Sequence, residues 1–227
     1  MHGWHENEEA SGTGGPALKF HESILGPTQR RALKASGSFL TERGFYLAGG
    51  TALALRLGHR RSVDLDWFTE NLIADPLQLA AEMRDAGIPF ETTSVARGTL
   101  YGTVDGVRMS CIEFRYPLLD GVDLWPEYGC ALASLRDTGT MKISAVAQRA
   151  AKKDFIDLYA LGVAGISLSE LLASYQQRFR VSDIGHVMYA LSYFDQADAE
   201  RTPQMLVKIR WSDIKSALIR EVRRLSP

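Results

Sequence analysis

One stretch, residues 46–68 (YLAGGTALALRLGHRRSVDLDWF), constrains the fold more than any other part of the chain. It opens with an apolar run that is too short for a helix and predicts a buried strand ending at Gly49 and Gly50. The two glycines let the backbone turn sharply and approach a ligand without Cβ atoms in the way. A helix is predicted to begin at Thr51, and the free N–H groups at its start favour a phosphate.

A second predicted strand, residues 63–68, ends the same stretch and carries Asp64 and Asp66. Side chains alternate along a strand, so both carboxylates are expected on one side. Two carboxylates form an all-oxygen site that suits Mg²⁺, an ion that prefers to share its coordination with substrate phosphates. A glycine pair, a short helix and Asp-x-Asp on the next strand are the local pattern of a nucleotidyltransferase palm.

Two other classes of Asp-x-Asp protein fit this sequence poorly. A phosphatase of the haloacid-dehalogenase type has an apolar strand running into its first aspartate, whereas residues 59–63 here read HRRSV. A glycosyltransferase would place a nucleotide-sugar-binding half before the motif, and too few residues precede Asp64 for one.

Composition excludes several classes of protein but does not indicate a function. The 227 residues carry a formal net charge of −1, so no global basic excess indicates a nucleic-acid-binding protein. Cys111 and Cys130 are too few for a disulfide framework. No apolar run approaches the length of about 18 residues that a membrane span needs, and no leader pattern is visible. We therefore expect a cytoplasmic protein with no membrane partner.

The rest of the chain predicts an α+β fold in three parts. Residues 1–17 are rich in Gly, Ser and Glu and are expected to form a flexible tail. Residues 18–137 are expected to form a palm-like mixed sheet with flanking helices. Residues 138–227 read as helices packed on that sheet. The segment 118–135 gives no clear pattern.

Local signals place several boundaries within these parts. Asp75 followed by Pro76 predicts a helix start. Asp105 and Gly106 predict a two-residue hairpin between strands 99–104 and 107–116. Thr140 is expected to cap a helix over 141–152, and Asp154 a helix over 155–161.

Three segments in order, GGTALAL from Gly49, HRRSVDLDWF from His59 and MKISAVAQRAAKKDFIDLYAL from Met141, carry a family resemblance. They resemble successive motifs of the AbiEii/AbiGii family, nucleotidyltransferase-like toxins of bacterial abortive-infection and type IV toxin–antitoxin systems. The resemblance extends over roughly residues 28–163. It implies transfer of a nucleotide from an NTP to an acceptor, which for some toxins is tRNA, and a cognate antitoxin protein as partner.

The same resemblance implies roles for individual residues. It makes Asp64 and Asp66 the metal pair for Mg²⁺ or Mn²⁺. Catalysis is expected from that pair together with Lys142 and Asp157. Substrate binding is expected from the remaining motif residues, which are Gly49, Gly50, Thr51, Ser62 and Asp154. Arg149 joins them because it lies on the same helix face as Lys142.

Physical chemistry leaves some of these roles open. An isolated lysine such as Lys142 is by default a surface residue, and Arg149 fits a solvated position as well as a phosphate contact. Asp154 fits a helix N-cap and Asp157 the N3 position, so both have a structural alternative. His59 stands alone and is expected at the surface or in helix packing.

A third metal carboxylate is the weakest point of the predicted site. Two-metal palm enzymes usually add one from a neighbouring strand, and the strand at 107–116 offers only Glu113, on the apolar face with Met109 and Cys111. Ser110 stands where an aspartate is expected. The third ligand is therefore Glu113, Asp157 or absent. A phosphotransferase on the same fold and a non-catalytic nucleotide-binding protein remain alternative functions.

Overall fold

A computed structural model describes residues 20–225 of the chain. The predicted flexible tail, residues 1–17, lies outside the described residues.

A seven-stranded mixed sheet forms the first part of the fold. The strands are β1 Tyr46–Ala48, β2 Leu65–Thr69, β3 Phe90–Ala96, β4 Thr99–Val104, β5 Val107–Glu113, β6 Val122–Trp125 and β7 Cys130–Ala133. Their order is β3-β4-β5-β2-β1-β7-β6. β1 runs antiparallel to β2, whereas the β2–β5 and β1–β7 pairs are parallel. This mixed sheet with flanking helices confirms the α+β prediction.

The described residues also form nine α-helices and two short 3₁₀ helices. The α-helices are α1 Pro27–Glu42, α2 Gly49–Leu57, α3 Pro76–Asp85, α4 Leu135–Arg149, α5 Lys152–Val163, α6 Leu168–Phe179, α7 Gly185–Ala190, α8 Asp195–Ala199 and α9 Trp211–Leu225. The 3₁₀ helices are Glu22–Ile24 and Pro126–Tyr128.

Two large hydrophobic cores and a smaller cluster of Tyr46, Ala48, Ala131 and Ala133 hold these elements together. The first fills the space between α1, α3 and the sheet face that carries Leu65 and Trp67. The second joins α4, α5, α6 and α9 through residues such as Phe155, and Leu53 of α2 belongs to it. Because α2 contributes to both cores, the helical part is fixed directly against the start of α2. The predicted division at residues 137 and 138 falls in the first turn of α4, and it stays a prediction.

Several local predictions are confirmed. The Asp75 carboxylate accepts hydrogen bonds from the amides of Leu77 and Gln78 at the start of α3. Asp105 and Gly106 both have positive φ, 51° and 74°, in the turn between β4 and β5. That conformation suits a two-residue hairpin and explains the residue pair found there.

Other boundaries differ from the predictions for identifiable reasons. α2 begins at Gly49 rather than Thr51, so the glycine pair forms its first turn. β2 begins at Leu65, which leaves Asp64 immediately before the strand. Ser134 rather than Thr140 caps the helix that carries Lys142. The unclear segment 118–135 contains the β6–β7 hairpin, whose four-residue strands are too short to show a period.

Among the described residues, no single helix has both the length and the apolar character needed to cross a membrane. α5 and α6, which are bent by 114° at the break between them, meet that criterion only as a pair.

Candidate active site

A cavity of about 820 Å³ opens on the sheet face opposite the first core. α2 starts at one side of it, α4 lies across it, and Pro203 and Gln204 from the helical part close another side. Its polar end is lined by Gly49, Gly50, Arg60, Ser62, Asp64, Asp66, Lys142 and Arg149. Its apolar end is lined by Phe68, Ile112, Phe114 and Met141. The motifs that lie far apart in the chain therefore meet at one cavity.

Asp64 and Asp66 lie side by side at this cavity and are still reachable from solvent. Oδ1 of Asp64 accepts a hydrogen bond from Nε of Arg108 at 2.8 Å, and the Asp64 side chain is 31% exposed. Oδ1 of Asp66 accepts from the hydroxyl of Ser110 at 2.6 Å. The hydroxyl of Thr51 donates to the backbone carbonyl of Asp64, which ties the start of α2 to the aspartate.

The two glycines are required by how closely α2 approaches its neighbours. A Cβ on Gly49 would lie 3.0 Å from Oδ2 of Asp66, and φ at this position is +68°. A Cβ on Gly50 would lie 2.6 Å from Nη2 of Arg60. Glycine thus allows the positive end of a helix dipole to sit against both the carboxylate and the guanidinium.

A buried ion cluster lies behind the polar end of the cavity. Arg60 donates two hydrogen bonds to the carboxylate of Asp157, Nε to Oδ1 and Nη2 to Oδ2, each 2.7 Å long. Nζ of Lys142 lies 2.7 Å from Asp157 Oδ2 and 2.8 Å from Asp154 Oδ1. Arg149 binds both oxygens of Asp154, at 2.8 and 3.1 Å. Three cations thus meet two carboxylates, which leaves one positive charge in excess beside the cavity.

The pKa values in this cluster follow from burial and charge. Burial opposes ionisation of Asp157, but Lys142 and Arg60 outweigh it and hold the pKa of this carboxyl well below its usual range. The pKa of Asp154 is lowered against the same desolvation, by Lys142 and Arg149. Burial likewise opposes the charge of Lys142, yet the two aspartates raise its pKa above the usual value. All these groups are therefore charged at neutral pH.

The structure separates the sequence-predicted residues into two sets. Seven of them line the cavity: Gly49, Gly50, Ser62, Asp64, Asp66, Lys142 and Arg149. The other three are buried and do not line it: Thr51, Asp154 and Asp157. Asp154 and Asp157 instead hold cavity cations in place from behind.

Asp154 is not a helix cap, contrary to one interpretation of its sequence position. α5 begins at Lys152, and the amide of Asp154 donates to the carbonyl of Ala151 at 2.9 Å. Its side chain is bound by Lys142 and Arg149 and is not turned back onto the helix end. Of the two positions expected for His59, the surface is excluded, because the ring is buried and its Nε2 lies 2.7 Å from Oδ1 of Asp157 on α5.

The candidates for a third metal carboxylate lie elsewhere. Glu113 pairs with Thr69 in the sheet, so it lies on the face opposite Asp66, and it accepts hydrogen bonds from the amide of Ile73 and from Arg115. Asp157 has both oxygens occupied by cations. Ser110, directly opposite Asp66 in β5, takes the position expected for a carboxylate.

The donor groups present nevertheless suit a divalent cation shared with a substrate. Within residues 20–225, no group of three or more His, Cys, Asp or Glu side chains is placed to hold a metal ion. Mg²⁺ commonly needs only one or two protein carboxylates when substrate phosphates complete its coordination. Asp64 and Asp66, adjacent and accessible, meet that requirement.

Two basic residues that bind aspartates of the site were missed from the sequence. Arg60 directly follows His59, but nothing in its local pattern distinguishes it from a solvated arginine. Arg108 alternates with Ser110 on β5, and only the long-range parallel pairing of β5 with β2 places it near Asp64. Both contacts join segments that are far apart in the chain.

Comparison with known proteins gives these motifs a family. The model of the nucleotidyltransferase AbiEii toxin of type IV toxin–antitoxin systems matches residues 31–124. An uncharacterized protein of Aquifex aeolicus is 34% identical over 197 residues, covering 86% of this chain and 94% of that protein. The chain belongs to the AbiEii family. The two comparisons therefore confirm the family resemblance that the sequence motifs predicted.

Solved structures agree on the fold of this AbiEii-family protein. MenT4, a nucleotidyltransferase toxin of Mycobacterium tuberculosis, has a TM-score of 0.57 at 14% identity, covering 87% of this chain and 83% of MenT4. A proposed nucleotidyltransferase from H. pylori has a TM-score of 0.50 at 16% identity, covering 90% and 92%. At such low identity these likenesses show a nucleotidyltransferase fold over most of the chain.

Proposed function

We propose that this AbiEii-family protein transfers a nucleotide from an NTP to the end of an RNA such as a tRNA, with Mg²⁺ or Mn²⁺ held by Asp64 and Asp66. We further propose that it acts in the cytoplasm as the toxin of a pair whose second member is a cognate antitoxin protein. One observation carries the proposal: the helix start at Gly49, the Asp64–Asp66 pair and Lys142 all meet at one cavity.

The polar end of the cavity is suited to the triphosphate. Gly50 and the start of α2 offer backbone N–H groups and a positive helix end. Arg60 and Lys142 stand beside them as cations already fixed by Asp157, so little side-chain freedom is lost when an anion arrives. Arg149, whose side chain is 55% exposed while it binds Asp154, adds a cation at the cavity for the outermost phosphate.

The apolar end of the cavity is suited to the nucleoside. Phe68 and Phe114 lie with ring centroids 5.8 Å apart at an edge-to-face angle of 79°. Together with Ile112 and Met141 they form an apolar surface against which a base packs.

The proposed reaction is a displacement at the α-phosphorus of the NTP. An acceptor hydroxyl oxygen forms a bond to the α-phosphorus, the bond from that phosphorus to the oxygen bridging to the β-phosphorus breaks, and pyrophosphate leaves. The hydroxyl proton is released to water at the cavity mouth. Arg60 and Lys142 offset the negative charge that builds on the leaving pyrophosphate. When bound, the divalent cation supplies further charge stabilisation at the reacting phosphate.

Labelled NTPs test the proposal. The purified protein is incubated with Mg²⁺, total tRNA and each NTP carrying label at either the α- or the γ-phosphate. We expect RNA to retain the α-label and not the γ-label. Retention of the γ-label alone would identify a phosphotransferase. NTP binding without transfer of either label would identify a non-catalytic nucleotide-binding protein, and both results contradict the proposal.

Growth assays test the proposed biological role. Expression of the wild-type chain is expected to arrest growth, whereas a chain with Asp64→Asn is expected to be tolerated. If a small gene adjoins the gene for this chain and encodes the antitoxin, its co-expression is expected to restore growth. Arrest by the Asp64→Asn chain at the same expression level would argue against toxicity through nucleotide transfer.

A further inference from the structure

A second cavity, of about 400 Å³, shares a wall with the NTP cavity. The shared wall consists of Arg61, Ser62, Val63, Asp64 and Arg108, which line both spaces. The second cavity is completed by the start of α1 and the turn before β5, with Ile24, Gly26, Thr28, Gln29, Gly106 and Val107. Its volume lies within the range of about 300–1,000 Å³ typical of small-ligand sites.

The wall is held in a fixed shape by contacts from three directions. The amide of Gln29 donates to the backbone carbonyl of Ser62 at 2.9 Å, and Gln29 is buried. Arg61 donates through Nη1 to the carbonyl of Ile24 at 3.1 Å, and its backbone amide donates to Gln204. A segment braced on both sides in this way separates two stable spaces.

Asp64 faces both spaces, whereas Asp66 lines the NTP cavity alone. In nucleotide transfer the attacking oxygen and the leaving oxygen lie roughly in line through the phosphorus. With the triphosphate at Gly50 and Lys142, the attacking hydroxyl has to approach from the side away from those residues. The second cavity reaches Asp64 without passing through the space that the NTP fills.

We propose that the second cavity is the acceptor subsite and that it receives the terminal nucleotide of an RNA strand. This inference rests on the proposed nucleotide transfer and adds where the acceptor binds. Arg61 and Arg108 supply positive charge for its phosphate, and the Arg108 side chain is 73% exposed while its Nε binds Asp64. Val63, an apolar residue that is 62% exposed in the wall, offers a surface for the sugar or base.

The charges in the wall favour RNA over a protein hydroxyl as acceptor. The shared wall contains two arginines and one aspartate, so its formal charge is positive, and a bound divalent cation would make it more positive. A strand with a phosphate on every nucleotide complements that charge, while a serine or tyrosine on a protein surface brings no phosphate of its own.

Filling the second cavity tests the inference. Thr28 is exposed and lines the second cavity but not the NTP cavity, so Thr28→Trp narrows the acceptor side alone. We expect KM for tRNA to rise at least about tenfold, with the Kd for a fluorescent NTP unchanged within about twofold. Thr92→Trp, an equally exposed change on β3 away from both cavities, controls for the added bulk.

A cross-linking experiment works even without turnover. A tRNA transcript carrying 4-thiouridine as its 3′-terminal nucleotide is irradiated with the wild-type chain, and cross-linked peptides are mapped. Cross-links at residues 26–29, 61–63 or 106–108 support the inference. Cross-links only elsewhere, an unchanged KM for tRNA in Thr28→Trp, or transfer to protein in place of RNA would overturn it. Cross-links at these residues with no transfer would reject the proposed chemistry and keep the binding site.

Discussion

Two pairs of aspartates in this protein have the same chemistry and opposite surroundings. Asp64 and Asp66 lie at the cavity, where each has one hydrogen-bonding neighbour, Arg108 or Ser110, and room for another ligand. Asp154 and Asp157 are fully buried, and their oxygens are bound by cations. Both pairs belong to motifs of the same family resemblance.

The difference shows how a carboxylate can serve a site in two ways. An accessible carboxylate with free lone pairs is able to bind an arriving cation directly. A buried one that is already ion-paired cannot, but it fixes the direction of the cations it binds. Asp157 is thus a positioning residue for Arg60 and Lys142, whereas Asp64 is a candidate for direct contact with the reacting groups. Substitution of each pair is expected to affect different measurements.

The largest expected effect follows Asp64→Asn. If Asp64 holds the divalent cation, nucleotide transfer falls by about 10³-fold or more, since such charge stabilisation is worth several kcal/mol. The free energy of unfolding changes by less than about 1 kcal/mol, because the partly exposed pair with Arg108 contributes little to stability. Transfer of the α-label measures the change in activity, and urea titration measures the change in the free energy of unfolding. Asp85→Asn, at an exposed position of α3, serves as control, and wild-type transfer by Asp64→Asn would refute the metal assignment.

Asp157→Asn is expected to lower the free energy of unfolding far more than Asp64→Asn does. Removing the charge leaves Arg60 and Lys142 buried with too few partners, which costs about 3–5 kcal/mol of unfolding free energy. Urea titration of the variant measures it. Asp154→Asn is expected to cost less, since Arg149 is able to turn to solvent. A wild-type midpoint for Asp157→Asn would show that the cluster does not stabilise the fold.

The same cluster predicts a dependence of stability on pH. The folded-state pKa values of Asp154 and Asp157 lie below the usual carboxyl value, so their contribution is present above about pH 4 and is lost as the pH falls below it. The pKa of Lys142 is raised, so its contribution is present at neutral pH and is lost only in strong alkali. The midpoint temperature of thermal unfolding should therefore be constant near neutral pH and should fall in acid. Asp157→Asn should show a shallower acid slope than wild type, and an equal slope would contradict this account.

The smallest expected effect follows Arg108→Ala. Its guanidinium occupies one oxygen of Asp64, so its removal leaves that oxygen free, and the affinity for Mn²⁺ without NTP should rise about two- to fivefold. Electron paramagnetic resonance of free Mn²⁺ measures this affinity. Arg97→Ala, which removes an exposed arginine elsewhere, controls for the change in net charge. Weaker Mn²⁺ binding in Arg108→Ala would mean that Arg108 supports the cation site.

Much of the site was predictable from local sequence. Gly49, Gly50, Asp64 and Asp66 stand in a short stretch whose strand, turn and helix signals agree with each other, and the structure brings all four to one cavity. The hairpin at Asp105 was equally local. The β6–β7 hairpin was not found, because its strands are too short for a period and lie in the sheet through long-range pairing with β1.

The sequence by itself determined the family and most of the local structure around residues 46–68, and it predicted which residues bind phosphate and metal. Only the tertiary structure decided which carboxylates remain accessible. Asp157 is 97 residues from Arg60, and Asp154 and Asp157 lost their access to solvent when α5 packed against α2 and α4. Desolvation and ion pairing depend on that packing, and no spacing within a motif records it. For the same reason, the second cavity beside Asp64 is not predictable from the sequence, because it forms only where α1 and the β4–β5 turn come together in the fold.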